Sequence, residues 1–195
     1  MIAIKKVAVS ALLAGAGAGF FSNFAMAQGA EGVASASPAA STPLAGARLV
    51  GQGTMRFLGF EVYRARLWAQ PGFDADNYAA HPLALELTYQ RNFTAEAIAK
   101  RSIEEMRRVA PFGPEQAERW QTALQAALPD VKPGDTLTGI YQPGSGATFR
   151  LGPRVVGEVA DPEFARLFFG IWLSPNTSEP ALRQALLAAR TQARP

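Results

Sequence analysis

The chain has 195 residues, 48% of them hydrophobic, with 19 basic residues against 16 acidic ones, a single His and no Cys. That inventory excludes zinc or copper centres built from His and Cys clusters, and it excludes disulfides. Lys5 and Lys6 account for two of the basic residues, so the rest of the chain is nearly balanced and mixed in sign. It has no basic stripe to neutralise phosphates, and nucleic acid is not an expected partner.

The first segment reads as a processing signal. Lys5 and Lys6 precede an uncharged, mostly apolar run from Val7 to Phe21, and Ala25-Met26-Ala27 has the small-x-small pattern of a cleavage site. Residues 1–27 are therefore expected to be a signal peptide cut after Ala27, giving a periplasmic or secreted protein. The run is shorter than the roughly 20 apolar residues of a membrane span, so no stable span is expected after cleavage. Residues 28–43 are mostly Ala, Ser, Gly and Pro with Glu31 as their one charge, the composition of a flexible leader. Residues 44–190 remain as one domain, long enough to bury a core without staples.

Within that domain Leu44 to Gly53 starts extended, and Gly59 marks a bulge or turn before a strand in which Val62, Arg64, Arg66 and Trp68 alternate with Tyr63, Ala65 and Leu67. Pro71 to Pro82 is a loop. Leu83, Leu85, Leu87 and Tyr89 then alternate with Ala84, Glu86, Thr88 and Gln90, a strand with one apolar and one polar face. Thr94 caps a helix to about Val109, with an apolar stripe through Ala99, Ile103 and Met106. Pro114 opens a second helix lined by Ala117, Trp120 and Leu124. Three strands follow, Asp135 to Gln142, Ala147 to Leu151 and Val155 to Val159, separated by glycine turns. Asp161 caps an aromatic helix whose first residue is Pro162. Thr177 or Ser178 caps the last helix, which runs to about Ala189. Segregated runs of strands and helices predict an α+β fold with helices on one face of an antiparallel sheet.

The candidate chemistry narrows quickly. His81 precedes Pro82 in a loop and reads as a solvated residue rather than the base of a triad. Gly51-x-Gly53 has Arg56 where a dinucleotide fingerprint needs its third Gly, and no βαβ unit follows. Glu104, Glu105, Glu115 and Glu118 fall on predicted helix surfaces, as solvated charges. No cofactor is expected. Arg56, between Met55 and Phe57, has two readings. It holds the anionic head of a ligand bidentately, or it has no ligand and either pairs with Glu61 or Glu86, because a guanidinium near apolar surface is costly alone, or reaches water from an edge strand. Tyr63 and Tyr89 need hydrogen-bond partners if buried. Phe164, Phe168, Phe169 and Trp172 are core residues taken singly, and together they can wall an apolar cleft.

Two stretches carry a resemblance. Phe164, Phe168, Ile171-Trp172-Leu173, Leu182 and Leu186-Leu187 resemble the C-terminal signature of the bacterial chalcone-isomerase-like family. Gly51 to Trp68 resembles that family's Gly-x-Gly-x-Arg…Val-Tyr…Leu pattern, with Met55 as an extra residue before Arg56, and Arg48 in Gly46-Ala47-Arg48 as an alternative match. The resemblance implies an open-faced β-sandwich, a large antiparallel sheet with a layer of helices on one face. It implies Arg56 or Arg48, with Tyr63, Tyr89, Phe168 and Trp172, as ligand-binding residues. The plant isomerases of this family use an Arg, a Thr, a Tyr and an Asn. At the matching places here the first turns of the helix after Thr94 carry no Tyr, Ser102 to Glu105 replace the Asn, and Leu167 replaces the Thr. The expectation is a non-catalytic periplasmic binder of a small amphipathic carboxylate, fatty-acid-like or aromatic. The alternatives are an isomerase or intramolecular lyase of chalcone isomerase type, and a protein-interaction module whose cleft is filled by its own side chains.

Overall fold

The computed structural model describes residues 42–188. The expected signal peptide, nearly all of the leader and the last residues of the domain lie outside that range. Strands β1 (Arg48–Phe57) and β2 (Phe60–Ala69) form a hairpin. Its loop is Leu58-Gly59, with φ of 49° and 82°. Two positive φ values define the primed two-residue turn whose twist suits a hairpin, so Gly59 is a turn residue and not a bulge. The strand starts later than the sequence suggests, because Leu44 to Ala47 is a turn closed by Ala47 N donating to Leu44 O at 3.1 Å.

The remaining elements are β3 (Leu83–Tyr89), α1 (Ala95–Val109), α2 (Pro114–Ala127), β4 (Thr136–Gln142), β5 (Gly146–Leu151), β6 (Arg154–Val159), α3 (Pro162–Leu173) and α4 (Pro180–Leu187). The six strands form one antiparallel sheet in chain order. Helices cover one face, an α+β open-faced sandwich as expected. Ala65, Leu67, Leu85, Leu87, Leu137 and Phe149 are buried on the helix side. On the other side Glu86 accepts from Arg66 Nε at 3.0 Å and Trp68 Nε1 at 2.5 Å. Glu86 is thus committed to Arg66, its cross-strand partner in register.

Local chemistry sets the helix starts. Thr94 Oγ1 accepts from Ala97 N at 3.1 Å at the head of α1. Asp161 caps α3 by accepting from Phe164 N at 2.9 Å, and its second oxygen takes the indole N–H of Trp120 at 2.7 Å, tying α2 to α3. The last helix departs from expectation. Neither Thr177 nor Ser178 is its cap: Glu179 is the cap residue and Pro180 the first helical one. The Thr177 hydroxyl is used elsewhere, donating to Ile171 O at 2.6 Å at the end of α3.

Nearly all of α3 is buried: Phe164, Leu167, Phe168, Phe169, Trp172 and Leu173. Each such side chain contributes on the order of 2 kcal/mol, an upper figure because the unfolded chain is itself partly compact. Phe168 is stacked on Phe164 at 5.5 Å and meets Phe149 of the sheet edge-on at 5.4 Å. Two glycines let α4 close onto β1. A Cβ at Gly51 would run into the Leu186 carbonyl, and one at Gly53 would stand 2.7 Å from Leu182 Cδ1. The Gly-x-Gly spacing is therefore a seat for a helix. No helix among the described residues is long and apolar enough to cross a membrane.

Candidate functional site

Four of the six predicted site residues meet at one place. Tyr63 and Tyr89 are opposite each other in the β2–β3 register, at the end of β2 nearest the hairpin loop. Their rings meet edge-on at 5.9 Å. Trp172, in the last turn of α3, donates its indole N–H to the Tyr63 hydroxyl at 3.0 Å. Phe168, one turn earlier, meets Trp172 at 5.5 Å. Met55 of β1 lies across from Tyr63 and is half-buried.

The four tyrosines of the chain divide by what their hydroxyls do. Tyr78 donates to the Arg166 carbonyl at 2.8 Å and Tyr141 to the Ala79 carbonyl at 2.9 Å. Tyr63 accepts from Trp172, but neither it nor Tyr89 donates to any described residue. Among the described residues the buried side-chain polar atom without a partner is Arg150 Nε, so the Tyr89 hydroxyl, inside a buried residue, still reaches the surface and is free to meet a ligand. Burial pushes the Tyr63 hydroxyl up from 10 to about 12; the Trp172 hydrogen bond and Arg101 oppose the rise, while the charges of Glu179 and Glu105 add to it. Burial raises Tyr89 too, with Tyr63 adding to it. Both phenols are therefore neutral donors near neutral pH.

The acid beside this pair is a residue that the sequence pointed to solvent. Glu105 is 7% exposed, whereas Glu104 stays open to water. Glu105 is neutralised by Arg101 Nη2 at 2.5 Å and Arg108 Nε at 3.4 Å. The signal was present as spacing. Ile98, Ser102, Glu105 and Val109 recur at helical intervals and form a second inward stripe beside the apolar one. A Ser and a Glu within it disguise it as a surface.

The two candidate arginines stand apart from this cluster and from each other. Arg56 is at the hairpin end of β1, its side chain 58% exposed, with Nη2 2.7 Å from Glu61 Oε1. Of its two readings, pairing with Glu61 is the one realised in this conformation. Arg48 is exposed at the opposite end, in register with Ala69. Eight residues of strand separate them by roughly 26 Å, so they cannot share one head group.

A shallow depression of about 450 Å³ lies beyond Tyr89, lined by Asn92, Phe93, Thr94, Asp130, Lys132 and Asp135. Its acids are occupied: Asp130 accepts from Ala95 N at 2.8 Å and Asp135 from Lys132 N at 3.0 Å. Among the described residues no group of three His, Cys, Asp or Glu is placed to hold a metal ion.

Fold and motif together define a class. The chain belongs to the chalcone isomerase-like family, whose pattern it matches over residues 30–188. An uncharacterized protein of Haemophilus influenzae is 29% identical over 147 residues, 75% of this chain and 71% of that one. Among solved structures it is similar to a fatty-acid binding protein of Arabidopsis thaliana, with a TM-score of 0.59 at 14% identity, covering 76% of this chain and 91% of the other. That likeness is one of fold.

Proposed function

We propose that this protein binds a small amphipathic carboxylate, fatty-acid-like or aromatic, with its head group at Tyr63 and Tyr89 and its apolar part against Met55, Phe168 and Trp172. The carrying observation is a pair of adjacent phenols, Tyr89 buried and Tyr63 half-buried, that donate to no described residue, whereas the hydroxyls of the other two tyrosines donate to carbonyls. A carboxylate accepts from both, and hydrogen bonds to a charged acceptor are stronger than neutral ones. The kinship of fold with a fatty-acid binding protein agrees with this choice of ligand class. Arg56 is a second contact if it exchanges Glu61 for the ligand, which an exposed ion pair permits at little cost. The test is extraction of co-purified ligand with identification by mass spectrometry, followed by titration of a fluorescent fatty acid into wild type, Tyr63→Phe, Tyr89→Phe and Arg56→Ala. Loss of affinity in the two tyrosine variants is expected. Equal affinity in all four removes this reading.

We also propose that the protein acts outside the inner membrane, on the Lys5-Lys6 region and the Ala25-Met26-Ala27 site. A mature N-terminus at Gln28 on the periplasmic or secreted protein is expected, and an intact Met1 there refutes it.

A further inference from the structure

The most exposed apolar surface of the described domain is the tip of the β1–β2 hairpin. Phe57 is 63% exposed, Leu58 82% and Phe60 61%. Phe57 and Phe60 face each other across the turn, and β2 pairs with β3 only from Tyr63 onward. The segment from Arg56 to Glu61 therefore projects past the third strand as a two-stranded finger. Leu58 adds a second anomaly. Its φ of 49° belongs to a turn position that Gly, Asn and Asp fill without strain, yet a bulky apolar residue stands there at the apex.

The charges around the finger are mostly positive. Arg56 and Arg64 share the single carboxylate of Glu61, at 2.7 and 3.4 Å. Arg91 lies over the Phe60 ring, 4.6 Å from its centroid. Three arginines thus surround an apolar apex with one acid among them. Water is a poor solvent for that apex, and a broad protein interface needs a larger patch than three side chains supply. A bilayer suits both parts: apolar side chains enter the acyl boundary while arginines stay at the phosphate level, their stems covering apolar surface.

We propose that this hairpin is a docking finger for an anionic lipid bilayer, with Phe57, Leu58 and Phe60 inserting and Arg56, Arg64 and Arg91 meeting the lipid phosphates. The inference does not depend on the ligand proposed above. It applies to the protein whether or not the tyrosine site is filled.

Because the chain has no Cys, Leu58→Cys gives a single attachment point for a polarity-sensitive fluorophore, and Glu115→Cys on α2 gives an exposed control away from the tip. The protein isolated from cells is mixed with vesicles of phosphatidylglycerol and phosphatidylethanolamine, or of phosphatidylcholine alone. The label at position 58 is expected to shift to the blue with anionic vesicles, much less with phosphatidylcholine and less at high salt, while the label at 115 stays unchanged. This comparison holds even if another segment also touches the membrane. In the unlabelled protein Leu58→Asn, which suits the turn and preserves the fold, is expected to weaken vesicle binding by about tenfold, the worth of one large apolar side chain. An unshifted label at 58 overturns the proposal. So does self-association, or binding to a protein partner, that Leu58→Asn abolishes while the label ignores vesicles.

Discussion

A phenol that donates to a backbone carbonyl and a buried phenol that donates to nothing answer differently to loss of the oxygen. Tyr78→Phe and Tyr141→Phe strip the Arg166 and Ala79 carbonyls of a donor. Each is expected to cost about 1–3 kcal/mol of stability and to leave ligand affinity unchanged. Tyr89→Phe removes a donor without depriving any described group, so its melting temperature should hold or rise while fatty-acid affinity falls about tenfold. Tyr63→Phe sits between the two, because Trp172 loses its acceptor. Thermal melts beside the titration separate the cases; a Tyr89→Phe variant that loses stability but keeps affinity makes Tyr89 structural. The same phenols predict an alkaline limit. Folded Tyr63 and Tyr78 titrate at about 12, raised from 10 by burial. Between those values the unfolded chain releases protons that the folded one keeps, so rising pH favours unfolding. Denaturant unfolding free energy should be flat to about pH 10 and fall from there towards 12, with tyrosinate absorbance appearing alongside unfolding. Early tyrosinate absorbance from a folded protein counts against the burial argument. Tyr63, Tyr89, Phe168 and Trp172 were legible as candidates through the family resemblance, which singled them out from the other aromatic residues. The uncommitted donors of the two tyrosines were not, since a residue's hydrogen-bond partners depend on what the fold brings near it.

At the scale of elements, the hairpin, the β4–β6 meander and the first three helix starts follow from short-range rules, the helices beginning where the caps Thr94 and Asp161 and the first-turn Pro114 indicate. What the sequence hid were contacts between distant segments. Gly51 and Gly53 fail as a dinucleotide fingerprint and have no structural role legible in the sequence, yet their partners are Leu182 and Leu186, more than a hundred residues away. Glu105 resembled a surface acid because its stripe mixes Ile98 and Val109 with Ser102. Arg56 is open in sequence between a ligand clamp and a pair with Glu61 or Glu86, and in the fold it stands beside Glu61 next to the exposed Phe57. The glycine seat is testable. Gly51→Ala drives a methyl group into the Leu186 carbonyl, backbone that cannot swing aside, and overpacking of this kind costs about 1–3 kcal/mol. At Gly53 the obstruction is a Leu182 methyl and the Ala185 Cβ, and the side chain at least can rotate. Gly51→Ala is therefore expected to destabilise more than Gly53→Ala in paired denaturant melts, with faster amide exchange in α4. The reverse order, or two silent substitutions, shows that α4 docks by other contacts.

For the molecule as a whole the question is whether the family's chemistry persists on the family's fold. Ring closure of a chalcone needs a group that manages a proton at the reacting oxygen, within hydrogen-bond reach. At the matching places this chain has Ser102 and Glu105 on α1 and Leu167 on α3. Leu167 is fully buried, and Glu105 is held by two arginines. Tyr63 and Tyr89 are donors that burial keeps neutral, good for holding an anion and poor for taking a proton from a phenol. Flavanone formation is therefore expected at background rate, read as chalcone absorbance loss with purified protein, while the fluorescent fatty acid still binds. A rate well above background that disappears in Tyr63→Phe or Arg56→Ala, in protein that still melts cooperatively, restores the isomerase and makes the carboxylate its inhibitor rather than its ligand.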